Sequence, residues 1–356
     1  MKKIALIFGG TSTEHEVSLV SAASVLETME TMDFEIFKIG ISKTGKWYLT
    51  NSNSEDIQDD RWMEQSLIQE VVPCFNGKGF WLKEDQKFLK PDISFPILHG
   101  GNGEDGVMQG VFEMMEIPYT GCGLSASSIC MNKWLLHQFA KNIGINSTPT
   151  ILLNSSKEEG KAEDFVRLHG FPIFVKPNEG GSSKGISRVT EKEDLRTAIE
   201  EAFSFGNKVI LQKAVVGTEI GCGILGNVDL IVGECDEISL EEGFFDYVEK
   251  YQLLTAKINV PASIPETISE DIKLQAQILY RFLGCKGLAR IDFFLTENGE
   301  ILLNEVNTLP GFTAHSRFPG MLGAVGLTYG DIIQKLFELA EENYEERRLI
   351  TTSESK

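Results

Sequence analysis

The stretch RIDFFLTENGEILLNEVN, Arg290 to Asn307, decides the reading of this chain. It divides into two apolar runs at Asn298-Gly299, a residue pair strongly favoured in tight hairpin turns. Ile291, Phe293 and Leu295 precede the turn and Leu302 and Val306 follow it, apolar enough for a buried hairpin. Each run nevertheless carries a carboxylate, Asp292 and Glu305. With Asn298 and Gly299 as the two loop residues, Glu297 pairs with Glu300. Counting back from there sets Asp292 opposite Glu305 and Arg290 opposite Asn307, and the alternation of a strand brings all four to one face. Opposed Cβ atoms lie about 4.5–5.5 Å apart, where like charges destabilise. Two buried carboxylates so placed require a shared proton, flanking cations, or a metal. Asp, Glu and an Asn amide are hard oxygen ligands, which suit Mg²⁺ or Mn²⁺ ions that keep several waters and reach toward phosphates. A register slip, or an acid pair balanced by Arg290 alone, is the competing reading.

The whole chain has 356 residues and 42% hydrophobic content, enough for two or three packed units. No apolar run approaches the ~20 residues of a membrane span. At the start, MKKIALIFGG has only Ile4 to Phe8 as its apolar part and reads as a first strand rather than a signal peptide. Six cysteines and five histidines show no CxxC or Cys/His cluster, which predicts free thiols in a cytosolic protein and argues against zinc. The net charge of −19, from 33 basic and 52 acidic residues, argues against nucleic-acid or anionic-membrane binding. An anionic substrate then depends on locally placed Lys and Arg.

Residues 2–8 read as a strand leading through Gly9-Gly10 to a helix from about Glu14 to Thr31, the beginning of an α/β unit. The segment from Thr50 to Lys90 is expected to be irregular and peripheral, with NGKG (76–79) as a turn. DISFPILHG is a buried strand, followed by GNGEDG and the helix VMQGVFEMMEI. One helix is expected from Leu124 through MNKWLLHQFAKNIG to Gly144. FPIFVKP and VILQKAV are further strands. A final helix, YGDIIQKLFELAEEN, precedes a polar tail expected to fray from Glu345.

Between the middle strands, VKPNEGGSSKGIS (175–187) joins Lys176 to a loop with Gly180, Gly181, Ser182 and Ser183. Exposed backbone N–H groups and hydroxyls there suit phosphate oxygens, although the order of a P-loop is absent. Downstream, Lys213 and Glu219 are candidates for adenine and ribose contacts. ISLEEGFFDYVEKYQLLTAK (238–257) mixes acids with four aromatics and has the composition of a lid loop.

GGTSTEHEVS, LHGGNGEDGVMQG, NKWL, FVKPNEGGSSKG, FFDYVEKY, ARIDFF and NEVNTLPGFTAHSRFP occur in this order over residues about 4 to 320. Together they resemble the D-alanine–D-alanine ligases of the ATP-grasp superfamily. The resemblance implies an α/β ATP-grasp fold. Residues 1–123 would be a Rossmann-like N-terminal domain binding the first D-amino acid, 124–212 a central α+β subdomain with the phosphate loop, and 213–345 a C-terminal α+β subdomain with lid and metal site. Residues 346–356 would be a tail, and the nucleotide would lie between the last two subdomains.

It also implies a reaction in which the carboxylate of D-alanine attacks the γ-phosphate of ATP. The amine of a second D-amino acid then displaces phosphate from the resulting acyl phosphate. By matching motifs, Glu14 would bind the first ammonium with His99 nearby, and Lys133 and Lys176 would contact phosphates. Gly181 and Ser183 would cover the phosphates, while Ser182 would hold Tyr251 of the lid. Arg290 with the Gly311 backbone would stabilise the tetrahedral oxyanion. Asp292, Glu305 and Asn307 would hold two Mg²⁺ or Mn²⁺ ions. Ser316 and Lys250 would meet the second carboxylate.

Gln212 stands where the family usually has an acid, and Gly180 where several relatives carry a charge. The DEI, GFFDY and HSRFP segments look most like D-alanine–D-serine ligases of vancomycin resistance, with Asp236 or Arg317 supplying a bond to the serine hydroxyl. EKY separates the chain from the D-lactate branch. The resemblance further implies a cytoplasmic homodimer acting on small molecules. A housekeeping D-alanine–D-alanine ligase, with D-alanine as second substrate, is the alternative within the family. Another ATP-grasp carboxylate–amine ligase and a non-catalytic nucleotide-binding protein are the competing classes, and the latter is expected to have lost metal ligands.

Overall fold

KKIALIFG (Lys2–Gly9) is apolar on successive residues, the pattern of a strand covered on both faces, and it is buried from Ile4 to Phe8. In the computed structural model, which describes residues 1–65, 67–181, 184–239 and 257–354, this strand pairs in parallel with Phe34–Ile41 and Ile93–Ile97. The helix His15–Met29 lies between the first two strands in sequence and buries Leu19, Ala22, Val25 and Leu26 against the sheet. Among the described residues the strands form three sheets, of seven, four and six strands.

The first sheet is larger than the sequence suggests. Trp47–Thr50, Ile68–Cys74, Gly79–Leu82 and Lys87–Leu89 extend it by successive antiparallel pairings, so the segment from 50 to 90 carries three further strands of this sheet rather than irregular chain. Polar residues mask the pattern because these edge strands are half-exposed. The NGKG turn is where it was expected, with Cys74 paired to Gly79 and positive φ at Asn76 and Gly77.

The middle sheet orders Ser187–Val189, Ile173–Pro177, Val209–Lys213 and Thr150–Leu153, all antiparallel. In the third sheet, the long strand Gly217–Gly226 pairs with Leu288–Thr296, which pairs with Ile301–Asn307 at the edge.

Two helical expectations need correction. The helix expected from Leu124 to Gly144 is broken at Asn132, which ends Leu124–Met131 and caps Lys133–Asn142. Asn132 leaves the helical region at ψ 93°, its Oδ1 accepts from the Leu135 N–H at 3.0 Å, and its Nδ2 donates to Glu179 at 2.6 Å. The last helix, Tyr329–Glu354, runs through the expected tail. Beyond Glu345 it is held by Arg347, whose guanidinium lies 5.0 Å from the Tyr119 ring centroid and 3.1 Å from Glu113, and by Glu346 at 3.1 Å from Lys286.

This helix also belongs to the core of the first sheet. Phe337 packs edge-on against Phe34 and Phe95, with ring centroids 5.2 and 5.3 Å away. Residues 329–345, assigned by the resemblance to the C-terminal subdomain, therefore help to cover the N-terminal sheet.

The broken helix yields a stability prediction. Asn132→Ala removes the cap and is expected to destabilise the fold by about 1 kcal/mol. Urea denaturation should show a lower midpoint with an unchanged slope.

Candidate active site

The hairpin between Arg290 and Asn307 is present, but it is assembled differently from the expected one. Its strands are Leu288–Thr296 and Ile301–Asn307, and the loop is Glu297, Asn298 and Gly299, with Gly299 at φ 80° and its N–H bonded to Thr296 O at 2.9 Å. Near the turn the pairs are Leu295–Ile301, Phe294–Leu302 and Phe293–Leu303. This is one residue out of step with the two-residue turn expected from Asn-Gly. The register then shifts, because Asn304 is an extra residue in the second strand, and Asp292 pairs with Glu305 and Arg290 with Asn307 after all.

A bulge reverses the alternation of side chains. Leu303 faces the core with Ile291, Phe293 and Val306, while Glu305 turns to the opposite face with Asp292. Two irregularities cancel, and the expected juxtaposition of acids results.

On that face the charges are tightly paired. Arg290 donates from Nε to Asp292 Oδ1 and from Nη2 to Oδ2, both at 2.8 Å. Asn307 donates its Nδ2 to the same Oδ2 at 2.8 Å, which leaves its amide oxygen as an outward acceptor. Arg317 lies alongside, with Nε and Nη2 on the two oxygens of Asp236 at 2.7 and 2.8 Å, and Nη1 on Glu219 at 2.9 Å. Its Nη2 is also 3.5 Å from Asp292 Oδ1.

The adjacent strand makes room for this arginine. A Cβ at Gly221 would stand 2.5 Å from Arg317 Nη2 and 2.6 Å from Asp236 Oδ1. Burial pushes the Glu219 carboxyl above its usual range against the pull of Arg317, with Asp292 and Glu305 pushing the same way.

Among the described residues no three His, Cys, Asp or Glu side chains form a metal cluster by themselves. The set here is two carboxylates and an amide oxygen. Asp292 Oδ1 carries a single close bond from Arg290 and keeps a lone pair. Such donors fit a hard divalent ion that takes its remaining ligands from water or phosphate.

The cations face this cluster from the middle sheet. Lys176 is lowered to about 8 by burial and by neighbouring Lys133, while Glu305 and Glu219 oppose the shift. The break at Asn132 docks the helix that begins at Lys133 onto the loop after Ile173–Pro177. Lys133 N donates to Asn178 O at 3.1 Å, Trp134 N to Asn178 Oδ1 at 2.9 Å, and Lys133 Nζ to Gly180 O at 2.7 Å. Lys213 reaches the carbonyls of Gly170 and Phe171 at 3.3 and 3.1 Å. Gln212 is buried and donates to Thr150 Oγ1 at 3.3 Å.

Glu14 is buried where two glycine-bearing loops meet. A Cβ at Gly100 would lie 2.4 Å from its Oε2, and one at Gly181 would lie 3.1 Å from it. His99 is adjacent, with Nε2 at 3.2 Å from Ser21 Oγ and Nδ1 at 3.4 Å from Glu104. Ser316 accepts the Thr313 N–H at 2.9 Å, and a Cβ at Gly311 would sit 3.4 Å from its hydroxyl.

Asp236 does not stand as a direct partner for a substrate hydroxyl. It is fully buried, and its oxygens accept from Arg317 and from the Gly221 N–H at 3.0 Å. Ser182, Ser183, Lys250 and Tyr251, with residues 240–256 of the expected lid, lie outside the described residues. His137, Asn304 and Gly221 escaped the sequence reading. Their roles depend on a bulge and on a close approach between strands, for which single residues carry no pattern.

The chain matches two family models, the N-terminus of D-ala D-ala ligase over residues 3–122 and its C-terminus over residues 139–338. It is 56% identical over 347 residues to the vancomycin C-type resistance protein VanC2 of Enterococcus casseliflavus, covering 96% of this chain and 99% of that one. It is 52% identical over 344 residues to VanC1 of Enterococcus gallinarum, with the same shares of 96% and 99%. Among solved structures, the VanG D-Ala:D-Ser ligase from Enterococcus faecalis superposes with a TM-score of 0.88 at 44% identity, over 95% of this chain and 99% of that one. With both of its halves matched, the chain belongs to the D-alanine–D-alanine ligase family.

Proposed function

We propose that the protein joins D-alanine to a second D-amino acid, with ATP and a divalent metal, and that D-serine is its preferred second substrate. The observation that carries the choice of D-serine is Arg317, a buried guanidinium beside the reaction face whose orientation is fixed by Asp236. An apolar pocket neither strongly favours nor rejects a hydroxyl. A buried donor left unpaired in its absence does discriminate. A guanidinium has five N–H groups, and the bonds of Arg317 to Asp236 and Glu219 leave donor capacity for a hydroxyl. In this reading Arg317 meets the serine and Asp236 aims Arg317. The similarity to a protein described as a D-Ala:D-Ser ligase supports it.

The rest of the site follows from charge. Glu14 holds the ammonium of the first D-alanine so that its carboxylate oxygen faces the γ-phosphorus. Lys133 and Lys176 offset phosphate charge as point cations, with Gly181 and Ser183 covering the phosphates. Lys213 and Glu219 hold adenine and ribose. Mg²⁺ held by Asp292, Glu305 and Asn307 would supply Lewis-acid neutralisation of the phosphate oxygens. ADP leaves as the acyl phosphate forms. The amine of the second substrate then attacks its carbonyl carbon, and Arg290 with the Gly311 N–H receives the charge that develops on oxygen. Expulsion of phosphate and loss of the amine proton complete the peptide bond. Ser182 and Tyr251 tether the lid, and Ser316 and Lys250 bind the second carboxylate. We place this activity in a cytoplasmic homodimer supplying cell-wall precursors. No helix among the described residues is long and apolar enough to cross a membrane.

Three measurements test the reading. Glu305→Gln should keep its circular dichroism spectrum and lose at least roughly a hundredfold in turnover, because metal neutralisation of phosphate is worth several kcal/mol. The Lys176 amine, lowered to about 8 in the folded protein from an ordinary value of 10.5, must be protonated to attract phosphate. ATP affinity should therefore fall as pH rises through about 8, and calorimetry on Lys176→Met should show that dependence lost. The decisive assay supplies ATP, Mg²⁺ and equal D-alanine and D-serine, and counts products. D-alanyl-D-serine should dominate, and Arg317→Leu should lower use of D-serine more than use of D-alanine. A wild-type product that is mainly D-alanyl-D-alanine would reject D-serine as the preferred substrate.

A further inference from the structure

We propose that His137 is a positioning residue for the divalent-ion site, holding through the backbone of Asn304 the bulge that turns Glu305 toward Asp292. This rests on the metal-dependent ligase reading above and adds to it a residue outside the ligand set.

A bulge takes backbone groups out of the ladder, and buried groups of that kind need other partners. Ile301–Asn307 is the edge strand of its sheet, so those partners must come from outside it. Leu303 N donates to Asn146 O at 2.8 Å, and Leu303 O accepts from Thr148 N at 3.4 Å. The carbonyl of the extra residue itself, Asn304 O, is 2.9 Å from His137 Nε2.

A carbonyl only accepts, so Nε2 carries the hydrogen. Nδ1, the other ring nitrogen, lies 3.3 Å from Thr150 Oγ1 and beside the Thr148 backbone. Burial holds His137 down to about 4, with Lys176 and Lys133 acting in the same direction, so the ring remains neutral near neutral pH. Without this donor the bulge loses its anchor one residue before Glu305, and the regular alternation would turn that carboxylate to the core side.

The placement of His137 adds a second link. It stands one turn after Lys133 on the same buried face of Lys133–Asn142. One short helix thus presents a phosphate-facing lysine and fixes the direction of a metal-facing glutamate.

The test is titration of the full-length protein with Mn²⁺, followed by electron paramagnetic resonance in the presence of a non-hydrolysable ATP analogue. His137→Leu should weaken Mn²⁺ binding by roughly 10–100-fold, while affinity for the analogue without metal stays within about twofold of wild type. His137→Gln, whose Nε2 amide can replace the ring donor, should recover most of the loss, which a purely packing role would not produce. A leucine variant with wild-type Mn²⁺ affinity, or a glutamine variant no better than leucine, overturns the proposal. If the leucine variant does not fold, His137→Asn takes its place. Its amide is too short for Asn304 and should show the same loss, and wild-type affinity there overturns the proposal equally. Failure of the wild type to bind Mn²⁺ with the analogue would instead reject the metal-dependent reading itself.

Discussion

Charge balance on one buried face is the constraint on which the third sheet depends. Asp236, Asp292 and Glu219 converge there with Glu305, and Arg290 and Arg317 lie among them. Moving such groups from water is costly, and removing one partner of a buried pair costs about 3–5 kcal/mol. Local features that look unrelated serve this balance. Gly221 has no side chain because a guanidinium occupies the space, and Asn307 turns its amide nitrogen to Asp292. The cluster contributes little net stability compared with an apolar packing of similar volume. In the proposed function this cluster serves chemistry at the phosphates rather than the stability of the fold.

The same logic resolves the tension between the acidic chain and an anionic nucleotide. With a net charge of −19, the long-range field repels phosphate. In the proposed function binding rests on Lys133 and Lys176, which stand at a helix start and near a strand end. Burial, and then repulsion by Lys133, lowers Lys176, and a bound anion would relieve the repulsion.

Much of this was legible in the sequence because it is carried by patterns with a physical cause. The first core strand and the glycine-bearing turns follow from period and turn chemistry, and the presence of an acid in each run of the hairpin is read directly. The hairpin shows the limit. Asn298-Gly299 suggested a two-residue turn, the chain uses three, and the bulge at Asn304 restores the register. A bulge has no sequence mark here, since its stabilising contacts come from His137 and the 146–148 segment, far away in the chain. Asn132 was hidden in a similar way. Its helix break depends on Asn178 and Glu179, and the apolar period on either side of it is unbroken. The half-exposed strands between 47 and 89 were missed because polar side chains obscure their alternation.

The last helix has a consequence for how the protein is made. Ile332, Ile333, Leu336 and Phe337 belong to the same core as Ile4, Leu6 and Phe95. On the ribosome, the N-terminal strands emerge first, but the apolar face around Phe34 stays uncovered until residues about 300 positions later have been added. Such long-range closure is slow, and unpaired apolar surface invites association with other chains in the meantime. The first unit to be synthesised is thus among the last to be completed. Shielding of the nascent chain falls to whatever binds exposed apolar surface during translation.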